Sequence, residues 1–216
     1  MGPEKVAPLL QPFIGEHLAP SLAQQLSQYL DLLLRWNARV NLTAVRRPEE
    51  MVTRHFGESL FAARVLFGAG EGEGAGGMQT PLRLADVGSG AGFPGIPIKL
   101  LAAQTRLTLI ESQGKKATFL RELVRTLGLQ DVEVFAGRAE DWGKTAEIVT
   151  LRAVERFTQV LPTAAKLVAP QGRLCLLIGR EQIVSARKTL GDAWDWRTPE
   201  LIPLSTDRVV IIAGRN

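Results

Sequence analysis

The sequence predicts an α/β fold in which a mainly parallel sheet is covered by helices on both faces and preceded by a helical cap. Two observations support this. Apolar side chains recur at helical spacing in the first third of the 216 residues, whereas short β-rich runs alternate with helical patterns later on. Residues 68–77, with six glycines, separate the two parts and are typical of a linker or exposed loop. We therefore expect the cap and linker over residues 1–78 and the core over residues 79–216.

The cap is expected to contain two long helices. Ser21 and Gln24 form a candidate capping box at the start of the first helix, which carries apolar residues on one face. An extended segment, residues 41–45, follows. Pro48 is a favourable first-turn residue, so the second helix is expected to run from there to about Phe67.

The core is expected to contain six strands that alternate with helices. The candidate strands are Leu82–Val87, Arg106–Glu111, Val132–Phe135, Glu147–Leu151, Arg173–Ile178 and Arg208–Ala213. A weaker strand is expected between Trp194 and Leu204, and the helix after the second strand has Phe119, Leu123 and Leu127 at helical spacing. In open sheets of this kind, ligands bind beyond the carboxyl ends of the strands.

The loop after the first core strand is the most informative stretch. The strand contains Asp86, and Gly88, Gly90 and Gly92 follow it within five residues. Glycine lets the backbone turn tightly and lets a ligand approach where a Cβ would clash. Glu111 ends the next strand, where a carboxylate can accept hydrogen bonds from both hydroxyls of a ribose. The pattern therefore predicts a nucleotide or nucleoside site.

This loop leaves two kinds of ligand open, a dinucleotide and S-adenosylmethionine. Gly90, Gly92 and Gly95 match the pattern G-x-G-x-x-G, but the first glycine of a dinucleotide fingerprint directly follows the strand. In that register Phe93 stands where the third glycine is needed, and two following prolines disturb the helix start that a pyrophosphate needs. S-adenosylmethionine carries no phosphate, and its amino-acid end can use backbone groups and a nearby carboxylate. The sequence favours this methyl donor; an NAD(P)-dependent oxidoreductase or a non-catalytic RNA-binding module are the alternatives.

Short blocks spread over most of the chain carry a resemblance to a known family. The blocks are Arg35-Trp-Asn37, Asn41-Leu-Thr43, Arg54-His55, Ser59-Leu60, the loop from Asp86 to Pro97, Glu111-Ser112, Gly114-Lys-Lys116, Gly137-Arg-Ala-Glu140 and Arg152-Ala153. With these blocks the chain resembles the glucose-inhibited division protein B family of bacterial methyltransferases. It departs from the family pattern at Glu58, where Asp is usual, and at Leu151, where a small polar residue is usual.

The resemblance implies a class I methyltransferase fold with a seven-stranded mixed sheet and S-adenosylmethionine as the donor. It also implies methylation of guanine N7 in the 530 loop of 16S ribosomal RNA, with the small ribosomal subunit as partner. Carried over by position, the family's cofactor contacts fall on Gly88, Phe93, Ala139, Glu140 and Arg152. The pattern of the residues themselves adds Asp86, Gly90, Gly92 and Glu111 to the predicted cofactor site.

The residue types that other base-methylating reactions need are missing. Enzymes acting on exocyclic amines commonly carry an Asn/Asp-Pro-Pro-aromatic motif after the fourth strand, where residues 149–153 here read Val-Thr-Leu-Arg-Ala. Methylation at cytosine C5 needs a thiolate, and the only cysteine, Cys175, lies in an apolar strand and is expected to be buried. Guanine N7 has a free lone pair at neutral pH, so we assign no catalytic acid or base and expect catalysis by positioning.

Arg152 is a candidate for three roles. Arginine commonly binds guanine O6 and N7 together, but N7 must stay open for methylation, so Arg152 could bind only O6. It could instead contact the cofactor or an RNA phosphate, as the family suggests. The third role is a structural ion pair.

The basic residues indicate where RNA could bind. The net charge of +4 and pI of about 9.6 permit a polyanionic partner. The candidate RNA-binding residues are Arg46, Arg47, Arg54, His55, Lys115 and Lys116. Aromatic residues make up only 6%, which disfavours extended stacking platforms and leaves Phe93 and Trp142 as candidates beside the target base.

Composition limits the remaining classes of protein. One cysteine excludes an internal disulfide and a multi-thiolate metal site. No uncharged apolar run approaches the ~18 residues that a membrane span needs, and the amino terminus lacks the pattern of a secretory signal. We therefore expect a cytoplasmic monomer that binds neither a metal nor a membrane.

Overall fold

The first third of the chain is helical, with one helix more than the two expected and with a π-helical turn inside the second expected helix. The computed structural model describes residues 1–15, 18–68, 81–152 and 157–215. The cap elements are α1 (Pro3–Ile14), α2 (Pro20–Asn37), α3 (Pro48–Met51), a π-helical turn (Val52–Gly57) and α4 (Glu58–Phe67). Most of the predicted linker, the boundary at residue 78 and the predicted family residue Ala153 lie outside the described residues.

The predicted capping box is wrong. Helix α2 begins at Pro20 with Ala19 as its N-cap, and Ser21 makes no side-chain capping bond. Proline at the first helical position already has the φ angle that a helix needs, and it has no N–H to leave unpaired. Helices α1 and α3 begin at proline in the same way.

The core contains all six predicted strands. Its elements are β1 (Arg83–Val87), α5 (Gly95–Leu101), β2 (Arg106–Ile110), α6 (Gly114–Thr126), β3 (Val132–Phe135), a 3₁₀ turn (Ala139–Asp141), β4 (Ala146–Arg152), α7 (Phe157–Lys166), β5 (Val168–Gly179), α8 (Gln182–Leu190), a 3₁₀ turn (Gly191–Ala193), β6 (Trp194–Trp196), β7 (Glu200–Leu201) and β8 (Arg208–Arg215). The weaker strand expected between 194 and 204 resolves into β6 and β7. Across the described ranges, no helix is long and apolar enough to span a bilayer.

One mixed sheet organises the core. Its strand order is β3-β2-β1-β4-β5-β8-β6, and the two-residue β7 pairs with β8 as an eighth strand beyond the predicted seven. Strands β1 to β5 are parallel to their neighbours, whereas β8 runs antiparallel to β5, with Gly179 opposite Arg208. The start of β8 therefore lies at the same edge of the sheet as the carboxyl ends of the parallel strands.

The cap and the core share one hydrophobic cluster. Apolar residues from the cap helices pack with α5, α6 and one face of the sheet, while α7 and α8 pack on the other face. Aromatic rings carry part of this contact: the rings of Tyr29 and Phe93 stack with centroids 5.1 Å apart, and Phe56 meets both edge-on. The cap is thus packed against the loop that the sequence marked as the ligand site.

Candidate active site

A cavity of about 690 Å³ opens at the carboxyl edge of the sheet, where the predicted cofactor residues lie. This volume is typical of small-molecule sites. The predicted residues that line the cavity are Gly88, Gly90, Phe93, Glu111, Ala139, Glu140 and Arg152. Asp86 and Gly92 lie outside its lining. Leu42, Thr43 and His55 from the cap complete one wall.

Two left-handed glycines shape the loop between β1 and α5. Gly88 and Gly90 have φ angles of 67° and 57°, which residues with a Cβ rarely adopt. The N–H groups of Gly88 and Ser89 donate to the Ile110 carbonyl of β2, at 2.9 and 3.1 Å. A Cβ on Gly90 would meet only an ordinary contact, the Gly88 carbonyl oxygen at 3.8 Å. Gly90 is therefore required by the backbone conformation and leaves its wall of the cavity open.

Glu111 follows β2 and presents its carboxylate to the cavity. Its Oε2 accepts a hydrogen bond from the Gly90 N–H at 2.9 Å, and its Oε1 accepts one from the Gln113 N–H at 2.7 Å. These bonds fix the carboxylate against the loop and use one acceptor position on each oxygen. Because a carboxylate has about four such positions, each oxygen can still accept a bond from a ligand hydroxyl. Two neighbouring ribose hydroxyls match this arrangement.

Asp86 lies beneath the loop with no exposed surface. Its Oδ1 accepts a hydrogen bond from the Thr150 hydroxyl at 2.8 Å, and its Oδ2 accepts one from the Gly95 N–H at 3.2 Å. Burial raises the pKa of this carboxyl to about 6, although hydrogen bonds from Thr150 and Gly95 act in the opposite direction. Asp86 joins β1 to β4 and to the start of α5, so we propose a structural role for it instead of the predicted cofactor contact.

The position of Asp86 also disfavours a dinucleotide. In dinucleotide sites a pyrophosphate rests on the N–H groups at the start of the helix after the loop. Here the first N–H of α5, that of Gly95, already donates to the Asp86 carboxylate. A pyrophosphate at this helix start would meet a buried carboxylate.

Gly92 faces the cap and not the cavity. A Cβ at this position would lie 2.7 Å from the Tyr29 hydroxyl oxygen and 3.0 Å from Cγ1 of Ile96, and the φ angle is 92°. The Tyr29 hydroxyl donates a hydrogen bond to the Ala91 carbonyl. We therefore propose that Gly92 serves the close approach of α2 to the loop, in place of the predicted cofactor contact.

His55 lies in the π-helical turn and links the cap to the end of β4. Its Nδ1 accepts a hydrogen bond from Nη2 of Arg152 at 3.1 Å, so its Nε2 carries the proton and donates to Oγ1 of Thr43 at 2.7 Å. Burial, together with the charges of Arg152, Arg54 and Arg208, lowers the pKa of His55 to about 3. His55 is thus a neutral link between the cap and the end of β4, and its predicted contact with RNA stays a prediction.

A buried ion pair fixes Arg152 at the end of β4. The side chains of Arg152 and Glu58 are 8% and 5% exposed, and Nη2 of Arg152 lies 3.0 Å from Oε2 of Glu58. The same Nη2 donates to the Arg54 carbonyl at 2.7 Å, and Nη2 of Arg208 lies 2.9 Å from the same Glu58 oxygen. Two guanidinium groups thus share one carboxylate. This supports the structural ion pair among the three roles considered for Arg152, whose side chain also lines the cavity.

The predicted RNA-binding residues separate into two groups. Arg46, Arg47 and Arg54 line a second cleft beside the cavity, whereas Lys116 lines the cavity itself. Lys115 is exposed on α6 and lies outside both linings. Of the two aromatic candidates, Phe93 lines the cavity and Trp142 is buried in the hydrophobic cluster on the opposite face of the sheet.

Sequence reasoning missed three residues of this region. Glu58 is the carboxylate that Arg152 and Arg208 share, and Thr43 forms a hydrogen bond with His55. A carboxylate among apolar residues of α4 was a signal that Glu58 needs a buried partner. Arg208 gave no comparable signal, because only the antiparallel course of β8 brings it to this edge.

The described residues provide neither a metal-binding cluster nor an ionised thiol. Within the described residues, no group of three or more His, Cys, Asp or Glu side chains could hold a metal ion. Cys175 is fully buried, and burial raises the pKa of its thiol to about 12. The sulfur is therefore protonated and inaccessible, in agreement with its predicted burial.

Solved structures of low sequence identity share this architecture. Magnesium protoporphyrin IX methyltransferase from Synechocystis, solved with bound S-adenosylmethionine, matches with a TM-score of 0.64 over 87% of this chain and 97% of its own, at 14% identity. Ribosomal protein L11 methylase from Lactobacillus delbrueckii matches with a TM-score of 0.59 over 76% of this chain and 79% of its own, also at 14% identity. With the strand order, these matches define the class I S-adenosylmethionine-dependent methyltransferase fold.

Sequence comparison then identifies the family. A family model described as rRNA small subunit methyltransferase G (GidB) matches residues 22–190. The relative of that name from Xylella fastidiosa is 43% identical over 153 residues, which cover 70% of this chain and 66% of the relative, just under two thirds of its length. The relative from Xanthomonas campestris is 36% identical over 207 residues, covering 94% of this chain and 89% of the relative. The chain belongs to the rRNA small subunit methyltransferase G family, which confirms the resemblance.

Proposed function

We propose that this protein transfers a methyl group from S-adenosylmethionine to N7 of a guanine in the 530 loop of 16S ribosomal RNA. The observation that carries the proposal is the carboxylate of Glu111, which two backbone N–H groups hold at 2.9 and 2.7 Å at the wall of the cavity. Family membership supports the ribosomal RNA as the substrate.

The residues that line the cavity are chemically suited to each part of S-adenosylmethionine. Glu111 would accept hydrogen bonds from the two ribose hydroxyls, and the 3₁₀ turn with Ala139 and Glu140 would meet the adenine edge. Gly88 and Gly90 would let the backbone approach the amino-acid end of the donor. Phe93, 6% exposed, supplies an apolar wall between this site and the cap.

The residues of the chain act by positioning. When bound, S-adenosylmethionine supplies a methyl group on a positively charged sulfur, which passes to the free lone pair of guanine N7 by in-line displacement. No proton has to be removed from N7, so no general base is needed. A neutral His55 adds no positive charge beside a base that becomes cationic, and Phe93 offers an apolar face for that base. Positioning of this kind can contribute ~7–11 kcal/mol.

The partner and setting are proposed on the same basis. We propose the small ribosomal subunit as the substrate particle, a monomer as the active form and the cytoplasm as the location. Arg46, Arg47 and Arg54 beside the cavity, and Lys116 within it, are the proposed RNA contacts. Each phosphate contact adds to the salt dependence of binding.

Methylation of unmodified small subunits tests the proposal. The protein is incubated with labelled S-adenosylmethionine and subunits, and N7-methylguanine is then mapped by chemical strand cleavage. One new cleavage site in the 530 loop is the expected result. Saturable NADH binding without binding of S-adenosylmethionine would indicate an oxidoreductase instead. RNA binding without methyl transfer, unaffected by Gly90→Leu, would indicate a non-catalytic RNA-binding module.

A further inference from the structure

A second cleft of about 450 Å³ lies beside the cavity and is lined by five arginines. We call it the arginine cleft and define it by Arg46, Arg47, Arg54, Arg152 and Arg208. Three of them come from the cap, one from the end of β4 and one from the start of β8. Sequence elements far apart in the chain thus place their guanidinium groups around one space.

The arginine cleft carries excess positive charge. Glu50 lines the cleft and pairs with Arg54 at 3.2 Å, but both side chains are more than 40% exposed, so the pair is weak. The buried Glu58 carboxylate is shared by Arg152 and Arg208. Two carboxylates therefore face five guanidinium groups, and such a concentration attracts an anion.

Among the described residues, two arginines that line the cleft each have a buried hydrogen-bond donor without an acceptor. The Nε atoms of Arg152 and Arg208 are buried, and neither has a hydrogen-bond partner in the part of the chain that the structure describes. A buried donor without an acceptor is costly, and an acceptor supplied by a ligand removes that cost. Arginine presents its N–H groups in a fork that matches the oxygens of a phosphate.

The cleft is continuous with the cavity. Thr43, His55 and Arg152 line both spaces, so the two meet at these residues. A nucleotide whose base enters the cavity beside Phe93 would have its phosphate on the side of the cleft. Arg208 is 21% exposed and can reach a ligand there.

We propose that the arginine cleft binds the phosphodiester group of the target guanosine, with Arg208 as its central ligand. This inference rests on the proposed function, because it takes guanosine in single-stranded RNA as the substrate. The subsite explains why a residue from the start of β8 lies beside the methyl-transfer cavity. It also gives Arg208 a binding role in addition to its pairing with Glu58.

A comparison of two small ligands tests the subsite without ribosomal RNA. Guanosine 5′-monophosphate and 3′-monophosphate differ from guanosine only by the phosphate, so each is titrated against the full chain saturated with S-adenosylhomocysteine. Binding is followed by NMR chemical shifts into the millimolar range. We expect at least one monophosphate to bind about tenfold more tightly than guanosine, the factor expected for one charge-assisted hydrogen bond.

Three variants test whether the preference for the monophosphate depends on the arginine cleft. Arg208→Gln should remove most of the preference for the monophosphate over guanosine. Arg47→Gln changes an exposed residue of the cleft and should weaken the preference by about twofold to threefold, even if Arg208→Gln fails to fold. Arg106→Gln is the matched control: it removes the same charge from an exposed site at the opposite edge of the sheet, and the preference should persist.

The outcomes separate the subsite from the proposed function. Equal binding of guanosine and both monophosphates to the wild type, or no binding of any of them, would overturn the subsite. The subsite would also be overturned if the preference for a monophosphate persisted unchanged in both cleft variants. If Arg208→Gln does not fold, an unchanged preference in Arg47→Gln is enough to overturn it. A preference lost in the cleft variants, in a protein that fails to methylate small subunits, would retain the subsite and reject the function.

Discussion

The two sides of the glycine loop each contain a glycine and a carboxylate, but these residues have different contacts on each side. On the cavity side, a Cβ on Gly90 would meet no close neighbour, and the Glu111 carboxylate has unused acceptor positions. On the inner side, Gly92 is tightly enclosed and Asp86 has both oxygens bonded within the protein. The sequence presented all four as cofactor residues. From this difference we infer that a loop of this kind needs one set of residues to hold its shape and another to meet the ligand.

Substitution of Gly92 and Gly90 should give the largest difference in stability between the inner side and the cavity side of the loop. Gly92→Ala places a Cβ 2.7 Å from the Tyr29 hydroxyl at an unfavourable φ, and we expect a loss of about 4 kcal/mol in the free energy of unfolding. Gly90→Ala, the matched control, meets open space and should cost only the backbone strain of ~1–2 kcal/mol. Urea unfolding measures both.

A double variant checks the cause of that loss. Tyr29→Phe removes the hydroxyl that a Cβ at Gly92 would strike, so Gly92→Ala should cost less in this background. The distinction between the two sides would be wrong if Gly92→Ala and Gly90→Ala lost equal stability. It would also be wrong if Gly92→Ala cost the same with and without Tyr29→Phe.

The pH dependence of stability should report the buried carboxylate of the inner side. Because burial raises the pKa of Asp86 to about 6, the folded state binds this proton more tightly than the unfolded chain does. The stabilising contribution is therefore present at about pH 4 and is lost as pH rises through about 6. Relative to Asp86→Asn, the wild type should lose about 3 kcal/mol in the free energy of unfolding as the pH rises from ~4 or below to ~7. If the free energies of unfolding of the wild type and of Asp86→Asn depended on pH in the same way, the raised pKa of Asp86 would be contradicted.

The carboxylate of the cavity side should instead affect ligand binding. Glu111→Ala should weaken the binding of S-adenosylmethionine by about 1–3 kcal/mol through lost ribose hydrogen bonds. Calorimetry measures the change, with Asp86→Asn as the control that leaves affinity unaltered. A reversed result, in which only the Asp86 variant binds weakly, would exchange the roles of the two carboxylates.

Ser89 should give the smallest effect, since it lies where the two sides meet. Its hydroxyl donates to the Asp86 carbonyl at 2.8 Å, and the residue is 2% exposed although it lines the cavity. We expect Ser89→Ala to lower the free energy of unfolding by about 1 kcal/mol and to leave the affinity for S-adenosylmethionine unchanged. A weaker affinity without a loss of stability would place this hydroxyl on the ligand.

Local patterns in the sequence were enough to predict the strands, the cap helices and the glycine loop. Each of these depends on residues near one another in the chain: a run of buried residues in β1, proline at the start of a helix, and glycines that permit a tight turn. The match of the chain to family blocks then predicted most of the cavity lining. Glu111 follows β2 and lines the cavity where the sequence placed it.

The remaining features depend on contacts between distant parts of the chain. Tyr29 meets Ala91 from 62 residues away, and Arg152 meets Glu58 from 94 residues away. Nothing in the sequence near Tyr29 or Arg152 indicates these partners, so the sequence predicted neither the close approach of α2 to Gly92 nor the contact between Arg152 and His55. For a related reason the sequence does not fix which way Asp86 points, since a carboxylate in a strand can face either the ligand or the interior, and here it is buried.

The position of β8 has a consequence for how the protein is made. This strand lies between β5 and β6, yet the ribosome synthesises it after both. Until it emerges, the apolar edge of β5 has no neighbour, and unpaired edges of this kind promote aggregation. Assembly of the sheet therefore finishes by insertion of a late segment, and a chain interrupted just before residue 208 would be a substrate for chaperones and proteases.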